Sequence, residues 1–158
     1  GCARATDAGL RVLCSRLPLI TIDASRCPLV TDGAICTLAE TSGALLRNVL
    51  LGCSGPGVTD AGLATLARHC PKIRKLDVSH NERITDAGIA HITGACAGLE
   101  VLALEDCKGI SDATLFSISA SPCRATIRAV KVGFVQGLTD AGVSSLGRCT
   151  VLECCDFS

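Results

Sequence analysis

The sequence contains no Trp, no Tyr and no Met, and only three Phe. Without these large side chains, a core must be built from Leu, Ile, Val, Ala and Cys. The sequence also lacks a stretch of the roughly 18–20 apolar residues that a membrane-spanning helix needs. Arg47 and Asn48 interrupt the longest candidate. We therefore expect no insertion into a membrane.

Neither sign of charge is in excess, because 15 Lys and Arg balance 15 Asp and Glu. With zero net charge and no basic run evident, we expect neither a nucleic acid nor an anionic membrane as the main partner. The 158 residues are 48% apolar and 19% charged, a balance that allows one domain with a continuous core.

A Thr/Ser-Asp pair recurs six times at nearly constant spacing. The successive aspartates are 25, 28, 26, 26 and 28 residues apart, within the period of solenoid repeats. The pairs are Thr6-Asp7, Thr31-Asp32, Thr59-Asp60, Thr85-Asp86, Ser111-Asp112 and Thr139-Asp140. We therefore predict that residues 1–158 form a single array of about six repeats, an architecture that makes surfaces more often than catalytic sites.

Each pair lies between a strand pattern and a helix pattern. Ile73, Leu76 and Val78 belong to a segment that alternates apolar and polar residues, as a half-buried strand does. Ile89 and Ile92 continue an amphipathic helical pattern. A Thr or Ser oxygen can cap the first amides of a helix, where the charge of Asp is also favourable.

We therefore predict a helix starting near each aspartate of the six pairs. The predicted strands are Leu17–Ile22, Leu46–Leu51, Ile73–Val78, Leu99–Leu104, Ile127–Val132 and Leu152–Phe157.

The 12 cysteines fall at fixed phases of the repeat. In a small secreted chain they would suggest disulfides. Here Cys70, Cys96, Cys123 and Cys149 occupy equivalent positions at the ends of successive helices. Stacked helices lie roughly 8–10 Å apart, whereas a disulfide needs Cα atoms within about 7 Å. We therefore predict free, buried thiols in a reducing compartment.

The repeat resembles a known family. Its pattern, L-x-x-L-x-L-x-x-C/N followed by I-T-D-A-G-L-x-x-L-A-x-x-C-P, is similar to the cysteine-containing subtype of leucine-rich repeats. The segments at 60–71 (DAGLATLARHCP) and 99–107 (LEVLALEDC) carry the resemblance most clearly. It implies an α/β fold, a right-handed solenoid or horseshoe with a parallel sheet on the concave side and helices on the convex side. Such repeats are similar to those of F-box substrate receptors of ubiquitin ligases, and they occur in other scaffolds, including ciliary ones.

Some positions depart from the family pattern. Ser25, Ser54 and Val135 are interpreted as replacing the Cys or Asn that follows a strand, and Ser42 as replacing a helix-end Cys. We expect looser packing there. The pattern starts just after a strand position and finishes on a strand without its helix, so we expect the sequence to be part of a longer array.

No group of residues predicts catalysis, a cofactor or a metal site. Ser79 and His80 are the only suggestive neighbouring pair, but adjacent strand residues face apart. The three His are scattered, and Cys154 and Cys155 lack the spacing of a zinc site. We therefore predict that the chain is not an enzyme.

A partner is expected on the concave face of the sheet. The predicted contact residues are Lys75, Asp77, Ser79, Val101, Glu105, Lys131, Phe134 and Asp156. In the predicted alignment one row across the strands is Leu19, Asn48, Lys75, Val101, Ala129 and Cys154, and another is Asp23, Gly52, Ser79, Glu105, Gly133 and Ser158. Phe134 is either an aromatic anchor or, with greater weight, a core residue at a turn.

Three functions remain open at this point. The first is a protein-interaction scaffold, within a larger assembly. The second is the substrate-recognition segment of an F-box-type ubiquitin ligase. The third is the recognition part of an enzyme whose catalytic domain lies elsewhere. The partner's identity and the oligomeric state stay undetermined. The unpaired thiols favour the cytoplasm or nucleus, and the resemblance adds the cilium.

Overall fold

A computed structural model describes residues 2–158 as alternating helices and short strands. The helices are α1 (Asp7–Arg16), α2 (Asp32–Ser42), α3 (Asp60–His69), α4 (Asp86–Ala95), α5 (Asp112–Ala120) and α6 (Asp140–Ser145). The strands are β1 (Thr21–Asp23), β2 (Asn48–Leu50), β3 (Lys75–Asp77), β4 (Val101–Ala103), β5 (Ala129–Lys131) and β6 (Cys154–Asp156). Two 3₁₀ helices, Pro122–Ala125 and Leu146–Arg148, precede β5 and β6. Within the described residues, no helix is long and apolar enough to cross a bilayer.

The strands form one parallel sheet in chain order, from β1 to β6. Every helix starts at the aspartate of a Thr/Ser-Asp pair, as the repeat pattern predicts. Between the sheet and the helices, one core cluster extends across all repeats and is built almost entirely from Leu, Ile, Val, Ala and Cys. The predicted architecture, a leucine-rich-repeat solenoid with its sheet on the concave side and its helices on the convex side, is confirmed.

The predicted first strand, Leu17–Ile22, lies two residues too early in the sequence. The register pairs Thr21, and not Leu19, with Asn48 of β2. Leu17 ends helix α1, where its amide donates to the Leu13 carbonyl. The error arose because Ala24 fills an apolar position of this repeat with a small side chain, so the Leu-rich stretch before it resembled the strand more closely.

Five of the six aspartates do more than the helix capping that the sequence predicts. The Thr or Ser of five pairs caps its own helix by accepting a hydrogen bond from the second residue along. The aspartate reaches forward to the cap of the next repeat. Asp60, for example, accepts from the Thr85 amide at 2.9 Å and from the Thr85 hydroxyl at 2.6 Å. Equivalent bonds join Asp7 to Thr31, Asp32 to Thr59, Asp86 to Ser111 and Asp112 to Thr139.

This carboxylate explains the glycine near the start of α2, α3, α4 and α6. A Cβ at Gly88 would lie 2.2 Å from Oδ1 of Asp60, and one at Gly142 would lie 2.1 Å from Oδ1 of Asp112. Helix α5 carries Thr114 instead, and its hydroxyl donates to Oδ1 of Asp86 at 2.6 Å. The space beside the carboxylate is therefore either left open by a glycine or occupied by a side chain that donates a hydrogen bond to the carboxylate.

A second row of polar groups lies inside the turns that follow the strands. Asn81 Nδ2 donates to the carbonyls of Leu51 and Val78, at 2.8 and 2.9 Å. Ser54 is fully buried and its hydroxyl donates to the Leu51 carbonyl at 2.6 Å, so the looser packing expected there is wrong. Cys107 Sγ approaches the Val78 carbonyl at 3.2 Å.

In the first repeat this position belongs to Cys27, and not to Ser25 as predicted. Cys27 is three residues past Ala24, as Asn81 is three past Val78. It is 5% exposed. The misassignment follows from the shift of the first strand. Cys27 lies five residues before Asp32, and that spacing in the sequence could have identified it.

Candidate protein-binding face

The outward face of the sheet presents two rows of side chains across the six strands. The first row is Thr21, Asn48, Lys75, Val101, Ala129 and Cys154. The second row is Asp23, Leu50, Asp77, Ala103, Lys131 and Asp156. The first predicted row is therefore correct from β2 to β6 and wrong at the first strand, where Thr21 and not Leu19 is in register. The second predicted row follows β2 to β6 by two residues, so Asp23, which lies within β1, does not belong to it. Three members of that row, Gly52, Ser79 and Gly133, are buried.

Most predicted contact residues have accessible side chains. Lys75 is exposed, and five others are half-buried: Asp77, Val101, Glu105, Lys131 and Asp156. Opposite charges adjoin across the last two strands, since Lys131 pairs in register with Asp156. Apolar Leu50 and Val101 lie between the charged positions, so the face combines charge with small apolar patches.

Ser79 does not belong to this accessible surface. It is 3% exposed, and its hydroxyl accepts a hydrogen bond from the Glu105 amide at 3.2 Å. Its own amide donates to Oδ1 of Asp77 at 3.0 Å. Ser79 thus joins the ends of β3 and β4, and its prediction as a contact residue is wrong because its position lies where the chain turns back toward the core.

Phe134 is 74% exposed, so the prediction that it fills the core is wrong. Its backbone is left-handed, with φ of 59°. The same conformation recurs once per repeat, immediately before the polar turn position. The equivalent residues are Arg26, Cys53, His80 and Asp106. In this conformation the chain changes direction while the side chain remains outside the core. Phe134 therefore lies on the rim of the sheet.

Phe134 lies at a shallow hollow on the carboxyl ends of the last strands. The hollow is also lined by His80, Asp106, Asp140 and Phe157. Nδ1 of His80 lies 3.3 Å from Oδ2 of Asp106. Sequence reasoning missed His80, Asp106 and Phe157, although the first two could have been found from their position just before Asn81 and Cys107.

Hydrogen bonds favour the ionised form of two acidic residues on this face, Asp23 and Asp156. Hydrogen bonds from the Ser158 hydroxyl and amide, with a smaller contribution from Lys131, lower the pKa of Asp156. The Ser25 amide likewise lowers the pKa of Asp23. The face therefore carries fixed negative charges beside Lys131 and Lys75, which a protein partner can match.

All twelve cysteines are free thiols. Cys70, Cys96 and Cys107 are fully buried, and Cys96 Sγ approaches the Cys70 carbonyl at 3.5 Å. Burial raises the pKa of Cys70 to about 12 and the pKa of both Cys96 and Cys107 to about 11. Such thiols are poor nucleophiles and poor metal ligands. Among residues 2–158, no group of three or more His, Cys, Asp or Glu is placed to hold a metal ion.

Comparisons with known proteins bear on the fold. A family model described as "Leucine Rich repeat" matches residues 69–92. No curated protein matches the sequence significantly. Among solved structures, a chain of the crystal structure of the Rad7 and Elc1 complex in yeast is similar, with a TM-score of 0.72 and 19% identity.

That match covers 81% of this chain and 33% of the yeast chain, so the present chain spans about a third of its length. At such low identity the likeness shows a shared fold. The in-register repeats and this likeness show that the described residues have the fold of a leucine-rich-repeat solenoid, and the family model matches one stretch of it, residues 69–92.

Proposed function

We propose that this array is a protein-interaction scaffold, and that it binds its partner on the outward face of the sheet near the carboxyl ends of β4, β5 and β6. The single observation that carries the proposal is the exposure of Phe134. This residue lies on the rim of the face and is 74% exposed. Aromatic side chains are enriched among the residues that dominate binding energy at interfaces. No core contact requires Phe134 to be there.

The surroundings of Phe134 support this placement. Glu105, two residues after β4, and Lys131, the last residue of β5, offer charges of both signs. Phe157 adds a second aromatic side chain, which is 45% exposed. An apolar centre within a polar rim is the usual composition of an interface. The residues predicted as contacts at this end of the face, Glu105, Lys131, Phe134 and Asp156, stay together in the proposal.

The proposal can be tested by affinity purification from the native source with wild-type protein and two matched variants. Phe134→Ala should lose most of the captured partner. Phe116→Ala removes another Phe, 46% exposed, from helix α5 on the opposite side, and should retain it. Circular dichroism should show both variants folded. Equal capture by the two variants would move the binding surface away from the sheet.

Charge reversal tests whether the partner also contacts the outward face of the sheet. Asp77→Lys combined with Glu105→Lys should weaken a partner that lies along the concave face. Unchanged affinity of this double variant, together with loss in Phe134→Ala, would restrict the contact to the rim.

A second candidate is the substrate-recognition segment of an F-box-type ubiquitin ligase. It is supported by the resemblance of the repeats at 60–71 and 99–107, and by the similarity to a chain that was crystallised in a complex with another protein. Cullin components among the captured proteins would support this role. Capture of structural filament proteins without them would favour a scaffold of a larger assembly.

We further propose that the chain is non-enzymatic and works in a reducing compartment, the cytoplasm or the nucleus, with the cilium as a narrower possibility. Support comes from the buried, high-pKa thiols, which are suited to packing and not to catalysis. Fluorescence imaging of the tagged protein tests the compartment, and localisation to the secretory pathway would contradict it.

A further inference from the structure

The zero net charge of the chain conceals a local excess of positive charge at the amino ends of the strands. The residues that immediately precede β2 to β6 are joined in a row by backbone hydrogen bonds of 2.7–2.8 Å. In order, they are Arg47, Arg74, Glu100, Arg128 and Glu153. Neighbouring strands lie about 4.8 Å apart, so side chains of this row stand next to each other.

The two glutamates of the row offset only two of its three arginines. Nη1 of Arg74 lies 2.9 Å from Oε1 of Glu100, and Arg128 pairs with Glu153. Arg47 instead donates from Nη1 to the Leu45 and Leu46 carbonyls. Nη1 of Arg47 thus has two carbonyl acceptors, but no carboxylate offsets the charge of the guanidinium.

Two lysines adjoin Arg47 and Arg74. Lys75 is the first residue of β3 and lies beside Asn48 in the register, while Lys72 lies in the turn that leads into β3. Both are exposed, and no carboxylate within residues 2–158 lies within ion-pair distance of either. We call Arg47, Lys72, Arg74 and Lys75 the basic cluster.

The sequence already contains most of this cluster. Residues 68–75 read RHCPKIRK, with four Lys or Arg and one His in eight positions. The expectation of no basic run is therefore wrong at this place, because the balance of charges over the whole chain concealed it. The fold adds Arg47 from the preceding repeat and so concentrates the charge further.

We propose that the basic cluster binds an acidic segment of a partner protein. This surface is separate from the rim around Phe134, and the inference does not depend on the function proposed for that rim. Lys72 and Lys75 are exposed and unpaired, Arg47 is half-buried without a carboxylate partner, and Arg74 is paired with Glu100. The positive charge that Glu100 leaves unbalanced attracts carboxylates and steers association. The acidic segment is expected to be short, because the basic cluster covers only β2 and β3 and the next residue of the row, Glu100, is negatively charged.

A nucleic acid fits this surface less well. Its phosphate backbone would run from the basic cluster onto Glu100 and Glu153 in one direction along the row, and onto Asp23 and Asp77 along the strands. Repeated like-charge contacts oppose such a path. Single-strand binding also uses aromatic side chains for stacking, and the basic cluster contains none.

Fluorescence anisotropy with a labelled octa-glutamate peptide tests the proposal. The peptide should bind the wild-type chain at low ionic strength and dissociate as salt is added. Lys72→Glu combined with Lys75→Glu should weaken binding by roughly tenfold or more, since two attractive contacts become repulsive. Both positions are exposed, so thermal unfolding should be little changed.

A matched control reverses the same number of charges in the turns that follow β3 and β4, at the carboxyl ends of the strands. Arg83→Glu combined with Lys108→Glu gives the same net charge as the test variant and should keep the wild-type affinity. Equal weakening in both double variants would overturn the proposal, because only net charge would matter. Absence of peptide binding would also overturn it, as would tighter binding of an oligothymidine of eight nucleotides. Phe134→Ala should leave peptide binding unchanged, which separates this result from the test of the rim.

Discussion

Both carboxylate oxygens of Asp60 are held by one residue of the next repeat, Thr85. Oδ1 accepts from the Thr85 amide at 2.9 Å, and Oδ2 accepts from the Thr85 hydroxyl at 2.6 Å. That same hydroxyl oxygen accepts from the Ala87 amide and caps helix α4. The start of one helix is thus fixed by the start of the helix before it, which makes the Thr/Ser-Asp pair a connection between repeats.

The first prediction concerns the strength of this connection. Asp60→Ala removes two charge-assisted hydrogen bonds and leaves the half-buried Thr85 groups without their acceptor. Hydrogen bonds to charged groups contribute about 1.5–3 kcal/mol each, and the two here share one carboxylate. We expect the free energy of unfolding, measured in urea, to fall by about 2–4 kcal/mol.

Asp140→Ala is the matched control. Asp140 occupies the same position at the start of α6, but within the described residues no later cap donates a hydrogen bond to its carboxylate. It should lose only the favourable interaction with the helix N-terminus, about 0.3–1 kcal/mol. Equal losses at both positions would show that the aspartates act within their own helices, as the sequence alone suggests.

The second prediction uses two glycines of the same helix. At Gly88 an added Cβ would lie 2.2 Å from Asp60 Oδ1 and 3.1 Å from Leu63 Cδ1, whereas nothing lies within 4 Å of one at Gly94. Gly88→Ala should therefore destabilise the protein by roughly 1–3 kcal/mol through overpacking. Gly94→Ala should stabilise it by about 0.5–1 kcal/mol, because Ala favours the helix.

Thermal or urea unfolding of the two variants gives the comparison directly. The double variant Asp60→Ala/Gly88→Ala should lose less stability than the sum of the single variants, since the clash depends on the carboxylate. Stabilisation by Gly88→Ala would contradict the close approach of the two helices.

Local chemistry explains which parts of the fold could be predicted from the sequence. Helix starts are encoded within a few residues, by a cap and an acidic first turn, so all six were located. The bond from Asp60 to Thr85 could not be derived in this way, because helix capping already accounts for an aspartate there. Only the stacked neighbour shows where the carboxylate points.

The first repeat shows how a weak apolar residue misleads an alignment. Ala24 is 3% exposed and occupies the position held by Val78 in the third repeat. Its small side chain gives little hydrophobic signal, so the strand was assigned to the Leu-rich segment before it. The same two-residue error applies to the turn position after the strand, which the sequence alignment assigns to Ser25 and which Cys27 occupies.

The candidate site was harder to predict than the core, because it depends on turns. Ser79 and Phe134 both follow a strand, yet Ser79 turns inward to meet the Glu105 amide and Phe134 remains outside on a left-handed residue. Strand alternation does not extend to such positions. The basic cluster combines neighbouring repeats, so net charge gave no indication of it.

The third prediction is a loss of stability in acid that depends on Thr114. Burial disfavours ionisation of Asp86, but hydrogen bonds from the side chains and amides of Ser111 and Thr114 outweigh it, and its pKa is lowered. A lowered pKa stabilises the folded state above the pKa of the unfolded chain, near 4, and this contribution is lost as the pH falls through the folded value.

Thr114→Ala removes one of these donors, so the pKa of Asp86 should rise toward its ordinary value. Nuclear magnetic resonance titration of the Asp86 carboxyl carbon measures this shift. The variant should also lose less stability than wild type between pH 5 and the acid transition. An unchanged Asp86 titration in Thr114→Ala would contradict the role assigned to the hydroxyl. The Asp112 carboxyl, bonded by Thr139, is an internal control that should not move.

The last prediction concerns alkaline pH and the buried thiols. Burial raises the pKa of Cys70 to about 12, and that of Cys96 and Cys107 to about 11, from an ordinary value of 9.0. Unfolded thiols lose their protons first, so the native state holds more protons in this range. The contribution of these thiols to the free energy of unfolding is therefore fully present below about pH 8 and decreases as the pH rises toward 11. Each thiol adds at most about 1.4 kcal/mol per pH unit to the slope.

Cys107→Asn isolates one thiol, because Asn81 occupies the same position of the third repeat and donates there to the Leu51 and Val78 carbonyls. The variant should fold, and its free energy of unfolding should fall less steeply between pH 9 and 10, by up to about 1.4 kcal/mol per pH unit. The sequence has no Tyr whose ionisation could obscure the change. Urea unfolding under reducing conditions at several pH values gives both slopes. Identical slopes would mean that Cys107 ionises as readily in the native state as in the unfolded chain, which its complete burial against the Val78 carbonyl argues against.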